Sequence, residues 1–424
     1  MWQKSWFRWS VRVLALVLLA AFAVTFALRW QGEKALRQAR KDFVEKVGPL
    51  ELRAYQAKAV PEQENGAVWL VAGAEAAVVF PSERPGLRSL ADTPSERWAP
   101  EQAAVAQRLL QRNAPALALL RRCLALKACN LWEAEPGTAT YRLDLLRAAQ
   151  LLAADGRDAL RQGDTDRFFA DAETLRLLAS AQERQPELID LLLGSYAERR
   201  CLSVIREAAD LPSLRPGDVD RLSALLPTAD LLAALRRTAG YEGAAMMMRI
   251  ANGTEAEHLG IQLGLVGHLE NWIRGDAESA RALRGWIAWS KSLGTPYARH
   301  GTGPAVQDSA SDNPYVFDTQ GRIPGRLQAV LALRQMTALG LEVRKAGLER
   351  GAYPENLSAF PGAGSPDPFT GKPLAYTLHP DGSALLAIPG GDALYDKLSN
   401  GKIPTIGATW TLPPVRVGGR DAKR

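Results

Sequence analysis

The sequence predicts a mainly α protein with an N-terminal transmembrane helix, a helical bundle or irregular α-solenoid, and a small C-terminal helix-plus-β-hairpin module. Three observations carry this. The sixteen residues Val13 to Leu28 hold only one polar side chain, Thr25. Apolar residues then recur at helical spacing almost without a break from residue 33 to residue 291. Near residue 375 the pattern changes to two short segments flanking an Asp-Gly turn signal.

Composition sets the frame. The 424 residues are 47% hydrophobic and 23% charged, with 36 Gly, 26 Pro and three Cys, which excludes low-complexity disorder, collagen-like repeats and a disulfide-stapled mini-protein. The formal charge of +6 invites a nucleic-acid reading until it is located. Residues 1–41 carry eight basic residues and one acid, whereas residues 42–424 carry 44 basic against 45 acidic. The excess therefore belongs to the N-terminal end, where Lys and Arg meet lipid headgroups. The partner it implies is the lipid bilayer, with no nucleic acid.

Residues 1–12 are a short basic tail and residues 13–28, from Val13 to Leu28, the transmembrane segment. At ~1.5 Å per residue the run covers about 24 Å, a little short of the ~30 Å hydrocarbon core, and Val11 with a snorkelling Arg12 extends it. Trp2, Trp6, Phe7 and Trp9 before it and Trp30 after it match an aromatic belt. Ala21-Phe22-Ala23 offers a small-x-small cleavage site, but it falls inside the apolar run, so the segment reads as an uncleaved signal anchor. Basic residues flank both sides. The short basic tail before a first apolar run favours a cytoplasmic N-terminus and an exported body.

The helical domain is assigned to residues 33–291. Tyr141, Leu145, Ala148 and Leu152 form one stripe, and Phe168, Ala172, Leu175 and Ala179 a second, behind Asp164 as N-cap. Ile189, Leu193, Ala197, Cys201 and Val204 form a third, and Thr228 and Gly240 bracket another helix as cap and stop. No fixed repeat period appears. Cys123 and Cys129 are buried free thiols if the helix runs on, or a disulfide pair if it ends near Lys127; Cys201 belongs to the core. Residues 292–325, rich in Gly, Pro, Ser and Asp, read as an irregular linker. Residues 326–410 form the module. Its helix carries Ala329, Leu333, Met336, Gly340, Val343 and Gly347 on one stripe, small enough at the glycines for another backbone to approach. The hairpin strands LAYTL and ALLAI follow, and residues 411–424 read as a mobile basic tail.

Within the module, Tyr353 and Pro354 precede Asp367-Pro368-Phe369-Thr370-Gly371-Lys372-Pro373-Leu374-Ala375-Tyr376 and then Pro389-Gly390-Gly391-Asp392. This order resembles a recurrent C-terminal segment of uncharacterised bacterial single-pass membrane proteins. It is also similar to the C-terminal part of type II secretion pseudopilins, over about seventy residues. The chain lacks the pseudopilin peptidase site before its apolar run, so the resemblance implies a local turn-and-hairpin shape and no secretion role. Physically, Pro354, Pro368 and Pro373 fix φ at turns, Gly371 permits a left-handed residue, and Tyr353 and Tyr376 cover the helix. A second reading gives Asp367 and Thr370 a small binding loop.

His258 and His268, in a window with Glu255, Glu257 and Glu270, are ten apart and fall about 80° off one helical face, unsuited to a shared zinc ion. No nucleophile elbow or phosphate loop is present. Arg274-Gly275-Asp276 reads as stop-and-cap chemistry at a helix junction, and Met246, Met247 and Met248 as helix interior or an adaptable contact surface. No catalytic, cofactor-binding or metal residues are assigned. The expectation is a non-enzymatic, single-pass protein of the bacterial inner membrane, its C-terminal body periplasmic, whose helical domain mediates protein–protein interaction or assembly. The competing expectation is an envelope hydrolase-like enzyme with dispersed active-site residues.

Overall fold

The computed structural model describes residues 2–126, 128–131, 140–228, 230–251, 265–293, 296, 298, 314–399 and 407–415. The protein is mainly α, as the periodicity predicts. Among these residues are α1 (Trp2–Lys46), α2 (Ala67–Glu75), α3 (Arg84–Asp92), α4 (Pro100–Arg112), α5 (Ala114–Arg121), α6 (Thr140–Gln162) and α7 (Thr165–Glu183). Next come α8 (Leu188–Ala209), α9 (Pro216–Ala224), α10 (Leu231–Ala251), α11 (Leu265–Ser292), α12 (Pro314–Arg350) and α13 (Gly391–Ser399). Three strands, β1 (Ala375–Leu378), β2 (Ala384–Ala387) and β3 (Thr409–Leu412), form one antiparallel sheet in that order. The chain divides into two compact units, residues 1–55 with 239–292 and 305–317, and residues 56–238 with 293–304 and 318–424.

In the first unit, the apolar run is the N-terminal part of one 45-residue helix. α1 is long and apolar enough to cross a membrane. Val13 and Leu28 stand about half exposed, and residues between them, such as Leu16, Leu19 and Phe22, more so. Thr25 Oγ1 donates to the Ala21 carbonyl at 2.8 Å, so the one polar side chain of the run is satisfied within its own helix. Beyond the run, Gly32, Leu36, Ala39 and Phe43 are buried and Arg29 half-buried, as is Thr25 near the end of the run. These six recur at alternating steps of four and three, the spacing of a helix-pairing seam. The seam meets α11. A Cβ on Gly32 would lie 3.3 Å from the Ala277 backbone nitrogen and 3.4 Å from Asp276 Cβ. One on Gly243 of α10 would lie 2.6 Å from the Phe43 ring and 3.6 Å from Trp286. Residue 32 is thus level with 276–277 and residue 43 with about 286, so α1 and α11 run parallel. Tyr55 closes the unit, with its ring against Gly48 and Gly240 and its hydroxyl on the Pro49 carbonyl at 2.6 Å.

The second unit is built on α6, α7 and α8. Leu145, Ala148 and Leu152 of α6, and Phe168, Ala172, Leu175 and Ala179 of α7, are all buried, and the Asp164 carboxylate accepts from the Arg167 amide as N-cap. The α8 stripe needs correcting at its start. Ala197, Cys201 and Val204 are buried, but Ile189 is 45% exposed, because the inward position there belongs to Asp190, which pairs with Arg142 at 3.0 Å. Thr228 and Gly240 do not bracket a helix either. Asp230 caps α10 by accepting from Leu232 and Ala233, and the helix runs through Gly240 because the Tyr55 ring occupies the space of its missing side chain. Gly275 and Asp276 likewise lie inside α11 rather than at a junction. Cys123, Cys129 and Cys201 are buried free thiols.

The C-terminal part shares its core with these helices. α12 begins at Pro314 and passes through Pro324, so its first three turns occupy what the composition reads as linker. Ala329, Leu333, Met336 and Val343 are buried as the stripe predicts. The glycines on it admit rings rather than a backbone: Gly340 faces Trp410 and Gly347 faces Tyr353. The hairpin forms with Ala375 opposite Ala387 and Leu378 opposite Ala384, and Gly382 turns its loop at φ +80°. The tail boundary at residue 411 is wrong, because Thr411 and Leu412 belong to β3, paired with β2 through Leu385↔Thr411 and Ala384↔Leu412. Residues 416–424 lie outside the described residues.

Arg344, 2% exposed, ties these pieces together. Its Nε donates to the Ala209 carbonyl at 3.2 Å, and its Nη1 to the Tyr353 hydroxyl at 2.5 Å and the Pro413 carbonyl at 3.0 Å. Tyr353 Oη also donates to Pro413, at 2.8 Å. Arg344→Met keeps the apolar stem and removes every donor, taking the side-chain partner from the Ala209 carbonyl and leaving the Pro413 carbonyl with Tyr353 alone. Urea unfolding should show a loss of about 2–4 kcal/mol, and limited proteolysis should cut first in the C-terminal sheet. Tyr353→Phe, which removes one donor to Pro413 and one acceptor for Arg344 and leaves the Arg344–Pro413 bond in place, should lose about 1–2 kcal/mol.

Candidate functional site

The turn motif singled out in the sequence is brought together, but as a structural device. Asp367 is fully buried, and its Oδ1 accepts from the Phe369 and Thr370 amides at 2.9 and 2.7 Å, while Thr370 Oγ1 donates to Oδ2. Gly371 takes φ +72°, and an isolated bridge joins Pro366 to Pro373 around Asp367-Pro368. Tyr376 Oη donates to the Pro354 carbonyl at 2.6 Å. The polar atoms of Asp367 and Thr370 serve the turn itself, which holds Phe369 in the core. The other sequence candidates lie elsewhere: His258 is outside the described residues, and so is the side chain of His268. Among the described residues, no group of three His, Cys, Asp or Glu is arranged to hold a metal ion. Burial pushes all three thiols up to about 12, so they stay protonated at neutral pH.

The feature that sequence reasoning missed is a cleft of about 1330 Å³ in the second unit, walled by α3, the turn Ser95–Arg97, α6, α8, α12 and β3. Seven arginines and four acidic residues line it. The acids are mostly occupied. Glu207 accepts from the Ser95 amide and hydroxyl at 2.8 and 2.6 Å and from buried Arg157 at 2.8 Å, and Asp92 holds Arg200 at 2.8 Å. Glu96 faces Arg97 at 3.8 Å.

The arginines differ in their employment. Arg200 is buried, its guanidinium 3.5 Å over the Tyr196 ring, and burial lowers it to about 10, which leaves it cationic at neutral pH. Arg206 donates to the Gly407 and Thr409 carbonyls at 3.0 and 2.6 Å and stacks on Trp410 at 5.2 Å, fixing β3 as the cleft wall. Arg88, exposed, and Arg326, half-buried, line the cleft with no carboxylate partner among the described residues. The Nε atoms of Arg200 and Arg326 are buried without an acceptor. With Tyr196, Tyr395, Trp410, Leu193 and Leu333 between them, these groups make a cationic cleft with aromatic and aliphatic walls. Its chemistry suits a carboxylate- or phosphate-bearing ligand with apolar groups beside the charge.

Sequence pattern hides this site because its residues are scattered from Arg88 to Thr411. One signal was available: Leu193, Arg200 and Glu207 repeat every seven residues along α8, a cleft-facing strip between the core stripes.

Asp210, at the end of α8, accepts from Trp410 Nε1 at 3.0 Å. Burial raises its carboxyl from 3.8 to about 7, against the opposing pull of Trp410 and Arg206. The folded protein therefore holds a proton that the unfolded chain releases, and stability from this residue falls as pH rises from about 4 to about 7. Asp210→Asn keeps the acceptor for Trp410 and removes the titration. Thermal melts across pH 4–8 should show the variant overtaking the parent as pH rises, by on the order of 1–2 kcal/mol at pH 8. Parallel curves would show that Asp210 ionises at its ordinary value.

The chain matches no protein-family model, and no curated protein or solved structure is significantly similar to it.

Proposed function

We propose that this protein is a non-enzymatic adaptor of the bacterial inner membrane, held by α1 with its N-terminus cytoplasmic and its body periplasmic. Its arginine-lined cleft receives an acidic, aromatic-bearing segment of a partner protein. The observation that carries the reading is the surplus of arginine in the cleft: among the described residues Arg88 and Arg326 have no carboxylate partner, while the acids around them are occupied by neighbours. Cleft volume favours a polypeptide over a metabolite, since about 1330 Å³ exceeds the roughly 300–1,000 Å³ of small-molecule pockets. Arginine and aromatic side chains are also the residue types that dominate binding energy at protein interfaces. The short basic tail before the span supports the orientation, and the C-terminal likeness to bacterial single-pass proteins supports the compartment.

Two experiments test this. A photo-reactive amino acid placed at Thr411, exposed on the cleft wall, should yield one dominant protein adduct in living cells. Arg88→Glu with Arg326→Glu should lower that adduct about tenfold or more, and raised salt should lower it too. An adduct indifferent to both reversals, or none at all, would remove the cleft from any partner's binding. For topology, a C-terminal reporter active only outside the cytoplasm should be active; a silent reporter, with a cytoplasmic one active, would overturn the compartment.

A further inference from the structure

α11 runs parallel to α1 at a fixed level. Gly32 lies against Asp276 and Ala277, and Phe43 and Trp286 meet at Gly243. α11 begins at Leu265, eleven residues before Asp276, which is about 17 Å of helix. The same eleven residues back from Gly32 reach Ala21, in the middle of the apolar run. The first turns of α11 therefore lie beside Ala21 to Leu28 of α1. The α1 seam records the same overlap, because Thr25 and Arg29 are half-buried while every other residue from Trp9 to Leu28 is exposed.

We infer that the N-terminal turns of α11 are embedded in the leaflet at the C-terminal end of the α1 span, so that the chain grips the bilayer with a crossing helix and a second, leaflet-embedded one. The partner is the lipid surface itself. The order of residue types along α11 fits this depth. Leu265, Val266 and Gly267, level with the run's centre, are apolar or small; Glu270 and Asn271 follow one turn nearer the headgroups. Arg274, Asp276, Glu278 and Arg281 come at or beyond the level of Trp30. Apolar types at 265, 266, 269, 272 and 273 fall on one side of a helix, with polar types at 268, 271 and 274 on the other, so one side of these turns is apolar enough to meet acyl chains. Anchoring of this kind adds the apolar area of a second helix to the span and fixes the rotation of α1 about its own axis.

The inference rests on α1 crossing the membrane, and the test separates the two. Full-length protein is placed in nanodiscs of phosphatidylethanolamine and phosphatidylglycerol. Nitroxides are attached singly through Phe22→Cys, Val266→Cys, Leu269→Cys, Glu278→Cys or Arg281→Cys, the buried native thiols staying unlabelled in the folded protein. Collision with dissolved oxygen is compared with collision with a water-soluble nickel chelate, on samples whose circular dichroism and elution match the parent. The oxygen-to-nickel ratio at Val266 and Leu269 should exceed that at Glu278 and Arg281 several-fold and approach that at Phe22. A high ratio at Phe22 with low ratios at Val266 and Leu269 would overturn the inference and leave the span standing. Protection from both reagents at 266 and 269 would also overturn it, by showing burial in protein. A low ratio at Phe22 would remove the span and this inference together.

Discussion

A single buried guanidinium constrains the second unit more than any apolar contact. Arg344 sits two turns before the end of α12, and its donors end on carbonyls from the close of α8 and from Pro413 after β3, and on the hydroxyl of Tyr353. A charge held by neutral acceptors stays only if all of them arrive, so the group enforces a shared geometry on three segments that are far apart in sequence. The cleft depends on that geometry. Its wall is β3, pinned at one end by Arg344 through Pro413 and at the other by Arg206 through Gly407 and Thr409. Trp410, between these anchors, packs into the space left by Gly340 and donates to Asp210. A larger residue at 340 would push the indole out and take the wall with it.

The same device recurs through the helices. Stripes of alanine and leucine let α6, α7 and α8 approach closely, and arginines then reach across the narrow gaps. Arg121 bridges Asp155 and Asp171, Arg157 joins Glu207 to Ser203 and the Ala91 carbonyl, and Arg334 holds both oxygens of Glu198 at 2.7 Å. Buried ion pairs of this kind add little net stability over apolar residues of the same volume, but breaking one leaves an unpaired charge. They therefore act on register: a helix shifted by one turn loses several pairs at once. Glu183 shows the other outcome of burial. Desolvation first and the Glu198 carboxylate second push its proton affinity well up, and its oxygens find no donor. Burial thus favours its neutral form, and the Arg334 guanidinium donates to Glu198.

How much of this could be read beforehand follows from what each signal measures. Helical periodicity reports burial on one face, so the stripes on α6, α7 and α12 were legible, and so was the apolar run, whose composition has few other uses. The hairpin was legible because Asp381-Gly382 names its turn, and Gly382 takes the expected positive φ. β3 was not, although Thr409, Trp410, Thr411 and Leu412 alternate exposed and buried, because four residues beside Pro413 and Pro414 look like the start of a tail. α12 was shortened because Pro324 and the glycines around it speak for a break, and local propensity lost to the burial of Ile323 and Leu327. The cleft was illegible for a deeper reason. Its arginines come from five elements spread from residue 84 to residue 350, and no short window of sequence holds more than two of them.

Charge bookkeeping along the chain explains both what was seen and what was missed. The formal charge of +6 divides into a basic N-terminal end and a balanced body, yet balance over 383 residues says nothing about how charge is sorted in space. Folding sorts it. Acids of the second unit are drawn inward as partners for half-buried and buried arginines, Asp155, Asp171, Glu198 and Glu207 among them, while Arg88 and Arg326 are left facing the cleft. A neutral body thus produces a cationic recess without any basic segment. The two cationic regions also respond differently to salt. Basic residues flanking the span are screened by ions, but the span's apolar area is not, whereas a cleft that works through exposed guanidinium groups loses its attraction as ionic strength rises. A helix with a large apolar area and a recess of exposed guanidinium groups therefore answer to salt differently, the first keeping its affinity for an apolar phase where the second is screened.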